Sequence, residues 1–238
     1  ALDVEYGKYL GQQVNSFIRE NKLEDVDLIS SHGHTILHQP QNGITLQIGS
    51  GQEIKNATGK TVVCDFRKGD VALGGQGAPL VPIGDKLLFP QMNYCLNLGG
   101  IANISFDKNN ERLAFDICAC NIVLNQLVSD ERGIAYDNDG EIARTGKLNK
   151  ELLSALNEIS YYSQPFPKSL GREDIERDVF PLLEKFKISL EDKLHTFCKH
   201  IAIQISSVLE KDVTDARMLI TGGGTLNQFL LECIEDKC

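Results

Sequence analysis

No stretch of this 238-residue chain approaches the roughly 18 consecutive apolar residues that a membrane-spanning helix requires. Clusters of Lys and Arg are equally absent. With 24 basic against 33 acidic side chains the net charge is −9, which argues against nucleic acid and anionic membrane as general partners. The seven cysteines include no CxxC and no two pairs at zinc-finger spacing. Cys118 and Cys120 form a CxC, and Cys64, Cys95, Cys118, Cys198 and Cys233 stand in apolar runs. That usage reads as reduced core thiols in a cytoplasmic protein. No Gly-Lys-Ser/Thr follows the Gly222-Gly223-Gly224 run, so it is not a P-loop, and GxGxxG is missing, so it is not a Rossmann fingerprint. The N-terminus lacks the basic start and apolar core of a signal peptide, and it opens without Met inside a helical pattern.

What remains is an ordinary globular composition, 42% apolar and 24% charged, in a chain long enough for one large or two small domains. Its organising stretch is Tyr94 to Phe106. Two apolar runs flank Gly99-Gly100, which reads as strand, tight turn and returning strand. Glycines there permit positive φ and let an anionic ligand approach main-chain N–H groups. The next run, Leu113 to Ile117, is a strand ending on one carboxylate, Asp116, before a helical segment from Ile122 to Val128. A phosphate-cradling turn beside an acid at a strand end suits phosphoryl transfer; a plain structural hairpin is the alternative.

Residues 2–20 place Leu2, Tyr6, Tyr9, Leu10, Val14, Phe17 and Ile18 on one helical face. Val26 to Ser30 reads as a strand with Ser31-His-Gly-His-Thr35 at its end, where open α/β sheets collect ligands. His32, His34 and His38 admit a zinc reading, with His32 and His34 on one side of a strand. No acid or Cys stands near them, so hydrogen bonding to a polar ligand suits them better. Strands follow at 43–49 and 60–65, with a helical piece at 54–58. Asp65, Arg67 and Asp70 then precede a loop with three glycines and Pro79, either a ligand site or a surface turn held by an Asp–Arg pair. Gly84 to Met92 reads as a crossing segment and domain boundary.

Further on, Ile134 to Gly140 looks like part of a calcium loop but lacks the bidentate Glu of an EF-hand. Residues 149–160 are helical. The irregular stretch 161–173 carries Lys168, Ser169, Arg172 and Glu173 as its reactive-looking groups. A long helix spans Ser189 to Glu210, with His195 and His200 as half-buried residues. Met218 to Leu231 reads as a buried strand, then Gly222-Gly223-Gly224, then Asn227 and a helix, a platform on which a flat ligand rests near free helix N–H groups.

Leu98-Gly-Gly-Ile-Ala-Asn103 and Ile220-Thr-Gly-Gly-Gly-Thr-Leu-Asn227 resemble the second phosphate loop and the adenosine loop of the actin/Hsp70/sugar-kinase superfamily. Ser31 to Thr35, Thr45 to Gly49, Asp65 to Arg67, Asp70 to Pro82, Asn97 to Asn103 and Pro167 to Glu173 resemble, in order, successive blocks of the anhydro-N-acetylmuramic acid kinases. Gly74-Gly-Gln-Gly-Ala-Pro79 is highly specific among them.

The resemblance implies an α/β fold of two RNase H-like (actin-like ATPase) lobes with mixed sheets flanked by helices. The first lobe, 1–91, is incomplete and sugar-binding; the second, 92–238, carries the phosphate and adenosine loops. It implies a kinase of cell-wall recycling that uses ATP and Mg²⁺ on 1,6-anhydro-N-acetylmuramic acid, opening the anhydro ring with water and phosphorylating O6. Asp116 falls where the family places its catalytic base. Gly99, Gly100 and Asn103 would face the phosphates, and Gly222, Gly223, Gly224 and Asn227 the adenosine. His32, Thr35, Arg67, Asp70, Lys168, Ser169, Arg172 and Glu173 would surround the sugar; no protein metal ligands are assigned, and a homodimer stays open.

Two departures accompany the match. Asp116-Ile-Cys-Ala-Cys-Asn121 keeps the Asp and Asn of Asp-Thr-Gly-Pro-Gly-Asn but loses the residues between. The family's N-terminal Met-Ser-Gly-Thr-Ser-x-Asp-Gly phosphate loop and its C-terminal segment do not occur, so the chain is expected to be a piece of a longer protein. A non-catalytic nucleotide-binding module is the competing reading, and a zinc hydrolase built on the three histidines a third.

Overall fold

The computed structural model of the chain describes residues 1–75, 77, 80–210 and 215–238. Gln76, Ala78 and Pro79 of the specific glycine block therefore lie outside the described residues. The chain divides into two compact units, Ala1–Val81 and Pro82–Cys238. No described helix is long and apolar enough to cross a membrane.

The first unit runs α1 (Leu2–Glu20), β1 (Leu28–Ser30), β2 (His34–Gln39), β3 (Ile44–Ile48), α2 (Gly51–Thr58), β4 (Thr61–Val63) and α3 (Phe66–Ala72). β1 pairs parallel with β4, and β2 pairs antiparallel with β3. The expected helix α1 is present, and Tyr6, Leu10, Val14 and Ile18 of its apolar stripe are half-buried. Only Gly7 and Gly11 are buried, packed on Ser50 and on Ile54 and Ala57 of α2, while Leu2, Tyr9 and Phe17 are more than half exposed. Small residues one turn apart let two helix backbones close together, a contact that hydrophobic spacing does not register. His32 lies in the connection before β2, not on a strand, so the expected alternation with His34 fails. The charged stretch after β4 is helix α3, not a loop.

The second unit begins at α4 (Val81–Leu88), where a crossing segment was expected; Pro82 suits the first turn of a helix because it gives up an N–H that has no partner there. It continues with β5 (Tyr94–Leu98), β6 (Ile101–Lys108), β7 (Glu111–Ala119), α5 (Asn121–Arg132), α6 (Glu141–Thr145), α7 (Lys150–Asn157), α8 (Arg172–Asp178), α9 (Phe180–Lys185), α10 (Leu190–Val208), β8 (Met218–Thr221) and α11 (Gln228–Glu235). The sheet order is β7-β6-β5-β8. β5, β6 and β7 form an antiparallel meander and β8 joins parallel to β5. This is the mixed sheet expected of an RNase H-like lobe.

Helix α10 is the central packing element. Leu194, Phe197, Cys198, Ile201, Ala202 and Ile205 are fully buried, against β7, α5, α6, α7 and α11. Each such aliphatic side chain contributes about 1.5–3 kcal/mol by leaving water. His200 is also fully buried on this helix, not half-buried. Its ring nitrogens meet Asn157 Oδ1 (2.7 Å) and the Tyr162 hydroxyl (3.0 Å), and burial pushes its pKa down to about 3.

Candidate active site

The strand ladder collects polar residues into one row. Thr221 of β8 lies opposite Asn97 of β5, Asn97 opposite Asn103 of β6, and Asn103 opposite Asp116 of β7. Directly paired residues share a sheet face, so these four side chains line one face, spanning about 10 Å from Asn97 to Asp116 at ordinary strand spacing. Asp116 does not end its strand, as expected, because β7 continues to Ala119. The register slips between Ala102 and Asn103, leaving Ile117 unpaired, and such a bulge bends the strand and re-aims the neighbouring side chain.

The two glycine turns adjoin at the β5 and β8 end of this row. The Asn97 carboxamide lies between them, with Nδ2 3.2 Å from where a Cβ on Gly99 would stand and Oδ1 2.5 Å from one on Gly222. Neither Gly99 nor Gly100 occupies the left-handed region, so positive φ is not what these two supply. Their carbonyls take up the first free N–H groups of α5: Asn121 N donates to Gly99 O, and Ile122 N to Gly100 O. The Gly99 and Gly100 N–H groups donate, outside the strand ladder, to none of the described residues. Asn121 Nδ2 donates to Leu98 O (2.8 Å) and ties α5 to the same turn.

Asp116 is held by a segment some fifty residues away. Its Oδ2 accepts from the Leu170 N–H (3.0 Å) and the Ser169 hydroxyl (3.1 Å), and its own N–H donates to Lys168 O (3.1 Å). The Tyr161 hydroxyl donates to Asp116 O (2.6 Å), while Oδ1 takes no hydrogen bond from the described residues. Lys168 is engaged within its own segment. Its ammonium donates to Tyr161 O and Tyr162 O over the Tyr161 ring, and partial burial lowers its pKa. Arg172 pairs with Glu176 at the surface, and Glu173 is exposed in the first turn of α8. A polar cavity of about 220 Å³ opens beside this segment, lined by Tyr161, Gln164, Ser169, Asp174 and Arg177. Between the kept ends of the altered motif, Ile117, Cys118, Ala119 and Cys120 are fully buried, and desolvation raises the Cys120 thiol to about 12.

A second cleft, of about 290 Å³, is lined by Asn121, Leu124, Tyr136, Asp137, Gly223 and Leu226, with Asn125 and Asn227 completing it. Tyr136 and Leu226 of its lining stand 58% and 78% exposed. The loop weighed as a calcium site thus supplies one wall. Its Asp137 carboxylate accepts from the Ile142 and Ala143 N–H groups (both 2.9 Å). Asn227 is also committed, as the N-cap of α11, with Oδ1 accepting from Leu230 N (2.9 Å).

In the first unit, His32, Arg67 and Asp70 come together on Gly77. Asp70 Oδ2 accepts from Gly77 N (2.6 Å), Arg67 Nη1 donates to Gly77 O (2.7 Å), and Arg67 Nε donates to His32 Nε2 (2.9 Å). His32 Nδ1 contacts the Gly33 carbonyl (3.1 Å), an acceptor only, so the proton sits on Nδ1 and Nε2 is free to accept. Gly77 has φ +63 and abuts Val71 and Arg67, so no other residue fits there without strain. The Asp–Arg pair of the simpler reading is absent; Asp65 pairs with Lys68 instead. Thr35 lies opposite Gln47 and accepts from its Nε2 at 3.4 Å. Among the described residues no three His, Cys, Asp or Glu side chains gather as a metal cluster, and His38 is bound to Thr45.

Asn97, Thr221, Tyr161, Asn125 and Tyr136 escaped sequence reasoning. For Asn97 the signal was present, since it directly precedes the turn; the rest depend on tertiary pairing.

Comparison with known proteins is consistent along the whole chain. The family model described as anhydro-N-acetylmuramic acid kinase matches residues 1–238. The anhydro-N-acetylmuramic acid kinase of Aliivibrio fischeri is 37% identical over 220 residues, covering 89% of this chain and 60% of the relative. That of Saccharophagus degradans is 37% identical over 248 residues, covering 98% of this chain and 67% of the relative. The chain thus spans about 60–67% of the length of the curated relatives it matches. Among solved structures, the activator of the 2-hydroxyisocaproyl-CoA dehydratase from Clostridium difficile, with bound ADPNP, aligns at TM-score 0.42 and 15% identity, over 88% of this chain and 83% of that one. Component A of the Acidaminococcus fermentans (R)-2-hydroxyglutaryl-CoA dehydratase aligns at TM-score 0.42 and 13% identity, over 83% and 68%. Likeness at that level carries no argument; the family match does, and this chain belongs to the anhydro-N-acetylmuramic acid kinase family.

Proposed function

We propose that the protein phosphorylates 1,6-anhydro-N-acetylmuramic acid from ATP, giving N-acetylmuramic acid 6-phosphate and ADP in the recycling of cell-wall peptidoglycan. The observation that carries this reading is the row Asn97–Asn103–Asp116, which runs from the paired glycine turns to a single oriented carboxylate. Membership of the kinase family supports it over a bare nucleotide-binding module.

Asp116 acts as general base through Oδ1, because Oδ2 is fixed by Ser169 and Leu170. It takes a proton from the water whose oxygen bonds to the anomeric carbon. The C1–O6 bond breaks, and O6 with its released electron pair displaces ADP from the γ-phosphorus. The Gly99 and Gly100 N–H groups and the Asn97 and Asn103 carboxamides face the phosphates, adding donors but no negative charge. Mg²⁺ would be carried mainly by the nucleotide phosphates, with the Asn97 and Asn103 carboxamides as the nearest polar side chains and no cage of protein carboxylates around it. When bound it neutralises phosphate charge.

In the first unit, the His32–Arg67–Asp70 cluster at Gly77 and, separately, Thr35 on β2 are the sugar contacts of this reading. Arg67 has Nε and Nη1 engaged, which leaves Nη2 to meet the lactyl carboxylate of the sugar. Ser169 and Lys168 serve by holding the base and its supporting turn, and Arg172 and Glu173 meet substrate from the surface. The test is incubation with ATP, Mg²⁺ and the anhydro sugar in ¹⁸O-water, run on this chain and on a fusion completed with a relative's flanking segments. The expected product is the 6-phosphate with ¹⁸O at C1. A completed protein that yields unlabelled product, or none, refutes the proposal.

A further inference from the structure

The cleft between α5 and the Gly222–Gly224 turn has two polar side chains without a hydrogen bond to a described residue, the Asn125 carboxamide and the Tyr136 hydroxyl. Five polar side chains line it: Asn121, Asn125, Tyr136, Asp137 and Asn227. Asn121 donates to Leu98 O, Asp137 accepts from two backbone N–H groups, and Asn227 caps α11. Asn125 makes no hydrogen bond to a described residue, yet it lies one helical turn after Asn121 on the same face of α5. A carboxamide in that position offers a donor and an acceptor side by side.

We propose that Asn125 is the residue that reads the base. The adenine ring enters between Tyr136 and Leu226, over the bare backbone of Gly223, and the Asn125 amide pairs with its amino group and adjacent ring nitrogen. The side-by-side match of amide to amino and ring nitrogen is the one by which Asn recognises adenine elsewhere, whereas guanine presents two acceptors on the same edge. Asn125 is therefore the specificity-determining residue for an adenine over a guanine nucleotide. This rests on the reading that the cleft takes a nucleotide.

The test is calorimetric titration of this chain with ADP and with GDP, for wild type, Asn125→Leu and Asn125→Asp, with thermal melts to show that each variant is folded. Asn125→Asp keeps the size and removes the donor, so it stays informative if Asn125→Leu fails to fold. The expected result is wild-type preference for ADP, with ADP affinity falling on the order of tenfold in either variant and the ADP:GDP ratio moving toward one. Wild-type ADP binding with folded variants that keep both affinity and ratio overturns the assignment of Asn125 alone. Equal wild-type binding of ADP and GDP overturns it too. A wild-type chain that binds neither nucleotide overturns the reading of the cleft and the inference with it.

Discussion

Gly222, Gly223 and Gly224 are chemically identical neighbours whose replacement by Ala has three different outcomes. Gly222 has φ +87 and ψ 171, a region essentially closed to L side chains, at about 1–3 kcal/mol. A Cβ there also meets Leu98 O at 2.8 Å and Asn97 Oδ1 at 2.5 Å, overlap worth about 1–3 kcal/mol more. Gly222→Ala is thus expected to cost about 2–6 kcal/mol of stability. Gly224 has no such backbone strain, but its Cβ would stand 2.6 Å from Leu98 Cβ, so Gly224→Ala costs only the overlap, about 1–3 kcal/mol. Gly223 is open, with Asn121 Nδ2 at 3.9 Å as the nearest atom. There Ala is expected to leave stability unchanged or raise it by about 0.4–1 kcal/mol, by restricting the unfolded chain. The methyl group, however, projects into the cleft. If the base lies on Gly223, ADP affinity should fall between about fivefold and a hundredfold, the equivalent of a 1–3 kcal/mol overlap. Urea melts give the three stabilities and calorimetry gives ADP affinity. A Gly223→Ala chain as stable as wild type that binds ADP equally well refutes the placement of the base.

Three further outcomes are expected. Asp116→Asn should lower kcat by about 10²–10⁴-fold in the completed enzyme while ADP affinity holds, and undiminished turnover would remove Asp116 as the base. Ser169→Ala removes one of the two hydrogen bonds to Oδ2 and should lower kcat on the order of tenfold with KM unchanged, while Ser169→Thr restores it; a rise in KM alone would make Ser169 a sugar contact instead. His200, held neutral down to about pH 3 in the folded chain against about 6.5 unfolded, contributes stability that is complete above pH 6.5 and lost as pH falls toward 3. Between pH 7.5 and 5 that loss is about 2 kcal/mol, so urea melts of His200→Gln should show a pH dependence weaker by this amount, and equal dependence in both proteins would contradict it.

The parts of this fold legible in the sequence were those set by local pattern. The Tyr94–Phe106 hairpin, α1, α10 and the strand–glycine–helix order of β8 and α11 all announce themselves within a dozen residues or so. What was hidden depends on who packs against whom. The bulge at Ile117 exists only in the pairing of β6 with β7, and the grip of residues 168–170 on Asp116 joins positions 53 and 54 apart in sequence. Lys168 and Asn227 looked like ligand groups because polar side chains in glycine- or proline-rich stretches do; the backbone of the fold had already claimed both. α3 was missed for a similar reason, since its charged residues matched a turn until Arg67 and Asp70 closed on Gly77.

The altered motif shows how Asp116 keeps its position despite such substitutions. In Asp116-Ile-Cys-Ala-Cys-Asn121 only the end residues have side chains tied outward, Asp116 to Ser169 and Leu170 and Asn121 to Leu98. The four between are buried and apolar or nearly so, and they carry the strand past its bulge into α5 without a polar group to satisfy. Small buried thiols can stand where the family has Thr, Gly and Pro because the register of β7 against β6, not the identity of the connecting residues, sets where the carboxylate points. The spacing from the Asp116 carboxylate to the Gly99–Gly100 turn is then fixed by two antiparallel ladders and a helix start, each with many independent contacts. A change in the connector alters local packing; displacing the Asp116 carboxylate requires breaking a ladder.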